Sequence, residues 1–210
     1  MRRLWILISG YNDANGLERA ARSVRGAWPD PDRCPIVYAD GAYSKFPHDR
    51  PHSTDGTAEV AARWATFVVT WPVASPTEFL KRSSYWAGLP GDLALIVDTD
   101  ETVEASDPEA IFALDFDSYG VPLRDSTDPP GTVHCRPHRL FNVTPSIHHW
   151  GAHEAVFDPS GRIYMKRPLD PAMLSLVHHP RQPEREALKV DYYQTGIRED
   201  ESSFRYLCRT

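Results

Sequence analysis

The sequence predicts an α/β fold: a mostly parallel sheet with helices on both faces, in a single domain. Three observations lead to this prediction. The first half of the chain alternates apolar segments of strand length with segments whose apolar residues recur at helical spacing. Some apolar segments, such as residues 93–97, are continuous, as expected for strands that are buried on both faces. The length of 210 residues is typical of one domain.

The elements of the first half can be assigned in order. The predicted strands are residues 4–10, 35–41, 67–71 and 92–97. A helix follows each of the first three strands. Asn15 and Glu18 are the predicted capping pair of the first helix, the second begins in the turn sequence TDGT, and the third opens with Ser75 and Glu78 in capping-box order. Residues 42–52 form a polar insert with two prolines and no periodicity, which predicts a loop.

The second half is less regular. A short helix is predicted over residues 106–115 and a closing helix over residues 183–197. The predicted strands of this half are residues 118–125, 132–143 and 174–179. A segment rich in histidine and tryptophan, SIHHWGAHEAVF, lies between them.

Composition excludes several classes of protein. The formal net charge is −6 and there is no basic block, which argues against a protein whose main role is to bind nucleic acid or an anionic membrane. No apolar run approaches the ~18 residues of a membrane-spanning helix. The three cysteines, Cys34, Cys135 and Cys208, are far apart and odd in number, as in a reducing compartment. We therefore predict a cytoplasmic protein that does not engage membranes.

Polar residues follow three of the predicted strands directly. GYND follows the first strand, ADG the second, and DTDE the fourth. Because the carboxyl ends of parallel strands meet at one edge of a sheet, and ligands bind beyond that edge, these residues should converge on one site.

The pair Asp98 and Asp100 can be interpreted in three ways. Carboxylates two residues apart at a strand end suit a hard divalent cation, as in the Asp-x-Asp element that holds a donor diphosphate in nucleotide-sugar glycosyltransferases. With Thr102 they also match the opening of haloacid-dehalogenase-type phosphatases, where the first Asp is a nucleophile. That motif belongs on the first strand and needs a later acidic pair, and this chain offers neither. Alternatively, the acids cap a helix near Ser106.

Five segments, in order along nearly the whole chain, resemble one known family. They are LWILISGYNDANGLERAARSV, VYADG with STDGTAEVAAR, FLKRSSYWAGLPGDLALIVDTDE, HRLFNVTPSIHHWGAHEAVF and LVHHPRQPEREALKVDYY. Together they resemble the inverting glycosyltransferases of the GT-A fold, family two of the sequence-based classification. The chain departs from the family pattern at Ala39, where an Asp is usual, at Ser83, where an Asn is common, and in the insert that separates DG from STDGT.

The resemblance implies a donor site at the strand ends. Tyr11 would contact the nucleobase ring and Asp40 would accept a hydrogen bond from an imide N–H, which favours uracil. Arg82 is the candidate for the diphosphate, ahead of Lys81, and Asp98 would lie near the ribose. Each also has an ordinary structural interpretation: Asp40 as a turn residue before Gly41, and Arg82 as part of a solvated helix face.

The resemblance also implies a divalent cation, Mn²⁺ or Mg²⁺, held by Asp100 and a histidine. His178 fits the family position better than His179, and neighbouring strand residues point to opposite faces, so one of the two should reach the metal.

The remaining implied residues belong to the acceptor side. Glu154 would take the proton from the acceptor hydroxyl, with His153 orienting it or lining the acceptor site. Trp150 would form a flat apolar floor for the acceptor. A salt-bridged structural role for Glu154 and a core position for Trp150 stay open.

The sequence therefore predicts a metal-dependent inverting glycosyltransferase that moves a sugar from a nucleotide sugar, a UDP-sugar above all, to a hydroxyl. Residues 1–104 would form the donor half and residues 105–210 the acceptor half. The acceptor is open: a saccharide, a lipid-linked sugar, a protein side chain or a hydroxylated base in DNA all fit, although the acidic charge disfavours nucleic acid. The alternatives are an inactive relative that only binds nucleotide sugars and the phosphatase above. A nucleotidyltransferase would need a Gly-rich, Arg-bearing phosphate loop after the first strand, and SGYNDANG is not one.

Overall fold

The structure, a computed structural model, describes residues 2–44, 46–86, 89, 92–144, 147–150, 155–157, 166–180 and 183–191. The strands in these ranges are β1 (Leu4–Gly10), β2 (Ile36–Asp40), β3 (Phe67–Thr70), β4 (Leu93–Ile96), β5 (Glu101–Glu104), β6 (Ser118–Gly120), β7 (Leu123–Asp125), β8 (His138–Asn142), β9 (His148–Trp150), β10 (Ala155–Phe157), β11 (Lys166–Pro168) and β12 (Ser175–His178). The helices are α1 (Ala14–Ala27), α2 (Thr57–Trp64), α3 (Glu78–Ser83) and α4 (Pro183–Asp191), with 3₁₀ turns at Ser84–Trp86 and Ala110–Ala113.

Of the described strands, seven form the main sheet, in the order β11-β6-β8-β4-β1-β2-β3. Strands β3, β2, β1 and β4 run parallel to one another, β8 runs antiparallel to both β4 and β6, and β11 is parallel to β6. The other described strands form two small sheets, the pair β10-β9 and the three strands β5-β12-β7. The predicted α/β fold with a mostly parallel sheet in one domain is confirmed.

Two apolar cores lie on opposite faces of the main sheet, because alternate residues of each strand point to opposite sides. In β1, Ile6 and Ile8 join a core formed with α1, whereas Trp5 and Leu7 join a core formed with the turn Ser84–Trp86. Five buried residues of α1 share one face: Gly16, Leu17, Ala20, Ala21 and Val24. Burial of a leucine-sized side chain contributes about 1.5–3 kcal/mol. The predicted cover on both faces is confirmed.

The predicted caps of two helices are wrong. Helix α1 begins after Asp13, whose side chain accepts a hydrogen bond from the Gly16 amide, and not at Asn15. Helix α3 begins after Thr77, whose hydroxyl accepts from the Leu80 amide, and not at Ser75. In both cases another cap-forming residue lies within two positions, and the sequence cannot rank such neighbours.

The segments of the second half are shorter than predicted. Residues 118–125 form two strands, β6 and β7, separated at Pro122, which has no amide hydrogen for a ladder. The predicted helix over residues 106–115 is reduced to the 3₁₀ turn Ala110–Ala113. In the part of the chain that the structure describes, no helix combines the length and apolarity needed to cross a bilayer.

Candidate nucleotide and metal site

The three strand ends that the sequence singled out lie side by side. Gly10 at the end of β1 is the register partner of Asp40 at the end of β2, and the Val97 amide after β4 donates to Leu7 of β1. The predicted convergence on one edge is confirmed.

Lys81 joins two of these ends. Its Nζ donates to the Gly10 carbonyl at 2.6 Å and to the Gly41 carbonyl at 2.5 Å, and the side chain is fully buried. This burial lowers the pKa of Lys81 to about 7, although nearby Asp40 raises it. With its amino group donating to two backbone carbonyls, Lys81 holds β1 against the end of β2.

Asp98 sits between two arginines. Its Oδ1 lies 3.0 Å from Arg82 Nη2 and its Oδ2 lies 2.8 Å from Arg139 Nη2. The Arg82 Nε also donates to Glu78, at 3.0 Å. All of these side chains are largely buried, so both carboxylate oxygens of Asp98 are engaged in charge-assisted hydrogen bonds. An oxygen held in this way is poorly placed to act as a phosphatase nucleophile.

Arg139 and Glu101 are site residues that the sequence reasoning did not assign. Arg139 contacts Glu101 Oε1 at 2.9 Å, and Glu101 Oε2 accepts the Asp98 amide at 2.9 Å. Burial raises the pKa of Glu101 to about 7, against the opposing effect of the Arg139 charge. A signal was present in HRLF, where one arginine interrupts the apolar pattern of a strand. The antiparallel pairing of β8 with β4, with Leu140 opposite Leu95, then brings Arg139 to the acid-rich end.

Asp100 is paired with His178. The Nε2 atom of His178 lies 3.1 Å from Asp100 Oδ2, and the hydrogen bond between them is the largest of the effects that raise the pKa of the histidine. The ring of His179 points elsewhere, with its Nε2 2.9 Å from the hydroxyl of Thr102. A strand, β5, follows these acids, so neither Asp98 nor Asp100 caps a helix near Ser106.

The donor set of this pair fits a divalent cation. Asp100 offers a carboxylate oxygen from a nearly buried side chain, and the partly exposed His178 offers an imidazole nitrogen 3.1 Å from that oxygen. A carboxylate oxygen suits Mn²⁺ and Mg²⁺, and an imidazole nitrogen suits transition-metal cations; at a site with few protein ligands, water and substrate phosphates usually complete the shell.

Asp40 lies at the opposite side of the edge and is engaged within the protein. Its Oδ1 accepts from the Ser53 hydroxyl at 2.5 Å and its Oδ2 accepts from the Ser53 amide at 3.2 Å. Asn12, in left-handed backbone conformation with φ 49°, accepts the Thr54 amide at 2.7 Å. The segments GYND and STDGT, separated in sequence by α1, β2 and the insert, are thus bonded together at the strand ends.

Tyr11 is covered by the insert of residues 42–52. Its hydroxyl donates to the Arg50 carbonyl at 2.8 Å, and its ring lies edge-on to Phe46 and His48 at centroid distances of 6.4 and 6.5 Å. The insert therefore lies on the side of the site where the nucleobase is expected.

A further group of possible metal ligands was not predicted. The ligand atoms of Asp125, Asp128 and His134 lie within 4.8 Å of one another, and the group is partly exposed. His134 Nε2 lies 2.5 Å from Asp128 Oδ2. Asp125 also reaches His178, whose Nδ1 is 3.0 Å from Asp125 Oδ1.

Some predicted residues lie outside the described part of the chain. Glu154 and His153 are among them, so their predicted roles stay predictions. Trp150 ends β9, and only its backbone is described. Strand β9 lies beside α3, the helix that carries Arg82.

No family model matches the sequence, and no curated protein matches it. The structure is similar to that of TarS 1-349 from S. aureus in complex with UDP-GlcNAc, at 14% identity and a TM-score of 0.47, over 60% of this chain and 36% of that protein. It is also similar to the mannosyltransferase PcManGT from Pyrobaculum calidifontis in complex with GDP-Man and Mn²⁺, at 20% identity and a TM-score of 0.46, over 59% of this chain and 36% of that one. The chain thus spans little more than a third of their lengths, and similarities this partial carry no argument about its activity.

Proposed function

We propose that this chain is a divalent-cation-dependent inverting glycosyltransferase of the GT-A type, which takes its sugar from a nucleotide sugar, a UDP-sugar above all. The observation that carries the proposal is the arrangement at the end of β4. There Asp98 lies between two arginines, and Asp100 Oδ2 lies 3.1 Å from Nε2 of His178.

The proposed donor site places opposite charges where a nucleotide diphosphate and its cation need them. Asp100 and His178 would hold the cation, Mn²⁺ or Mg²⁺, which when bound offsets the charge of the departing diphosphate. Arg82 would face the diphosphate, since a guanidinium matches phosphate oxygens. Asp98, oriented by Arg82 and Arg139, would accept a hydrogen bond from the donor ribose.

For the nucleobase we propose Tyr11 and Asp40. Asp40 already accepts two hydrogen bonds from Ser53, so it would read an imide N–H through its remaining lone pairs. Asp40→Asn should lower the preference for UDP over CDP by about 10–100-fold, the value of one hydrogen bond to a charged group. Ser53→Ala is the matched control, because it loosens the same loop and leaves the carboxylate in place.

For the transfer step we propose Glu154 as the base that removes the acceptor proton, with His153 and Trp150 on the acceptor side, in the half formed by residues 105–210. The position of β9 beside α3 supports this proposal, since it brings the backbone of this segment near the donor side. Glu154→Gln should reduce transfer by about 10²–10⁴-fold and leave donor binding intact. If the wild type binds a donor but transfers and hydrolyses nothing, the chain is a binding protein only.

A thermal-shift panel of nucleoside diphosphates, with and without Mn²⁺, tests the donor site. At a hundredfold excess over the dissociation constant, binding stabilises the native state by about 2.7 kcal/mol, which raises the melting temperature of a chain of this size by roughly 5–11 °C. The shift should require Mn²⁺ and disappear in Asp100→Ala, whereas Asp115→Ala, at an exposed residue away from the site, should retain it. If no nucleotide shifts the wild type in the presence of Mn²⁺, the proposal fails.

A further inference from the structure

His178 lies between two carboxylates, those of Asp100 and Asp125, and only Asp100 was predicted from the sequence to be a metal ligand. Its Nε2 is 3.1 Å from Asp100 Oδ2, and its Nδ1 is 3.0 Å from Asp125 Oδ1. The pairing of strands explains the arrangement. His178 ends β12, the central strand of its sheet, and its register partners are Glu101 in β5 and Asp125 in β7.

The two ring nitrogens of a metal-binding histidine have different tasks. One nitrogen donates its lone pair to the cation, while the other carries the proton. A carboxylate that accepts this second N–H fixes both the tautomer and the plane of the ring, and it makes the imidazole a better ligand. Asp125 occupies this position on the Nδ1 side of His178.

We propose that Asp125 is the positioning residue of the metal site: it accepts the Nδ1–H of His178 and thereby directs Nε2 toward the cation that Asp100 shares. The inference rests on the proposed function, because it takes the pair Asp100 and His178 as the metal ligands. It adds a residue from β7, a strand that is distant in sequence from both ligands.

The turn after β7 holds Asp125 in place. The Asp125 amide donates to Asp128 Oδ2 at 3.0 Å, and the Asp128 amide donates to the Asp125 carbonyl at 3.1 Å. The Ser126 amide donates to the His178 carbonyl at 2.8 Å, which ties the turn to β12 itself. The backbone on which Asp125 sits is therefore bonded to the strand that carries the histidine.

The same residue also belongs to the group with Asp128 and His134, which offers a competing interpretation in which those three bind the cation themselves. The geometry favours the positioning role. Asp125 Oδ1 is 3.0 Å from His178 Nδ1, whereas its Oδ2 is 3.8 Å from His134 Nε2. The closest partner of His134 is Asp128, at 2.5 Å, so the ring of His134 is oriented toward Asp128.

A titration of Mn²⁺ at fixed, saturating UDP distinguishes the two roles, with free Mn²⁺ quantified by its electron paramagnetic resonance signal. Loss of such an outer carboxylate costs about 10–100-fold in metal affinity. Because 55% of the Asp125 side chain is exposed, we expect about tenfold for Asp125→Ala, and less for Asp125→Asn, which keeps an acceptor for the Nδ1–H. His134→Gln, which retains an N–H for Asp128 and is a poor metal ligand, should bind Mn²⁺ as the wild type does.

The melting temperature without metal separates positioning from a folding defect. Asp125→Ala should melt within about 3 °C of the wild type, because a partly exposed ion pair contributes little to stability. The inference is overturned if the Asp125 variants bind Mn²⁺ within twofold of the wild type, or if His134→Gln loses as much affinity as Asp125→Ala. Both results assume a wild type that binds Mn²⁺ with UDP. A wild type that does not would instead overturn the proposed function.

Discussion

Replacement of Arg139 by methionine should destabilise the protein more than any single surface change. The Arg139 side chain is 9% exposed and contacts Asp98 at 2.8 Å and Glu101 at 2.9 Å, and the Glu101 side chain is 3% exposed. Methionine fills a similar volume and removes the charge. Without this guanidinium, which lowers the pKa of Glu101, the buried Glu101 carboxyl would have to take up a proton at pH 7 or keep its charge beside Asp98.

The expected magnitude follows from this burial. Removal of one partner from a buried ion pair costs about 3–5 kcal/mol, because the remaining charge stays buried without compensation. Arg82 still contacts Asp98, so we expect about 3 kcal/mol, the lower end of that range. For a chain of this length, such a loss lowers the melting temperature by roughly 6–12 °C.

Urea unfolding at pH 7, followed by circular dichroism, would measure the change. Arg63→Met is the matched control: the Arg63 side chain is 61% exposed in its ion pair with Glu18, and such a pair is worth about 0–1 kcal/mol. The double variant Arg139→Met, Glu101→Gln should be less destabilised than the sum of its single changes, by about 1–3 kcal/mol, because glutamine at this position needs neither a proton nor a counter-charge. A cost below about 1 kcal/mol for Arg139→Met, or strict additivity in the double variant, would refute this reasoning.

Three further outcomes are expected. Burial lowers the pKa of Lys81 from 10.5 to about 7, so the stability it contributes is present above pH 10.5 and is lost as the pH falls toward 7. The difference in unfolding free energy between the wild type and Lys81→Met should therefore move in favour of the wild type from pH 7 to pH 9.5. In a Cys208→Ser background, a thiol reagent should label the exposed Cys135 at once. It should label Cys34 only after the protein is unfolded, because burial raises the pKa of Cys34 to about 12. Thr77→Ala should cost about 1 kcal/mol in urea unfolding, through loss of the helix cap at Leu80.

The fold of the first half follows from its sequence because local and global signals agree there. Each apolar run of strand length is buried in the sheet except β3, where Phe67 and Val68 are exposed at the edge. An edge position cannot be read from one strand's own residues, because it depends on which strand lacks a second neighbour. The order of strands in the second half could not be predicted for a similar reason. Strand β8 lies between β4 and β6, and no residue pattern within β8 indicates these two partners.

The candidate site was predictable where it depended on strand ends, and not where it depended on partners from distant strands. The positions of Asp98 and Asp100 follow from the parallel strands alone. Arg139 reaches Asp98 through an antiparallel pairing, and Asp125 reaches His178 within a separate small sheet; both contacts join residues about forty or more positions apart. Side-chain partners of this kind are a property of tertiary packing, which single-sequence patterns do not encode.

Asp98 and Asp100 carry the same side chain two residues apart, but their different neighbours suit them to different tasks. Two guanidinium groups, which also pair with Glu78 and Glu101, occupy the two carboxylate oxygens of Asp98, so a metal ion at either oxygen would meet a guanidinium charge. Asp100 has instead a histidine that can be neutral, with a second carboxylate, Asp125, behind it. A cation is therefore expected at Asp100 rather than at Asp98, whose two oxygens are already paired with guanidinium groups. The proposed function depends on this difference: the cation would lie at Asp100 and His178, and Arg82 would face the diphosphate.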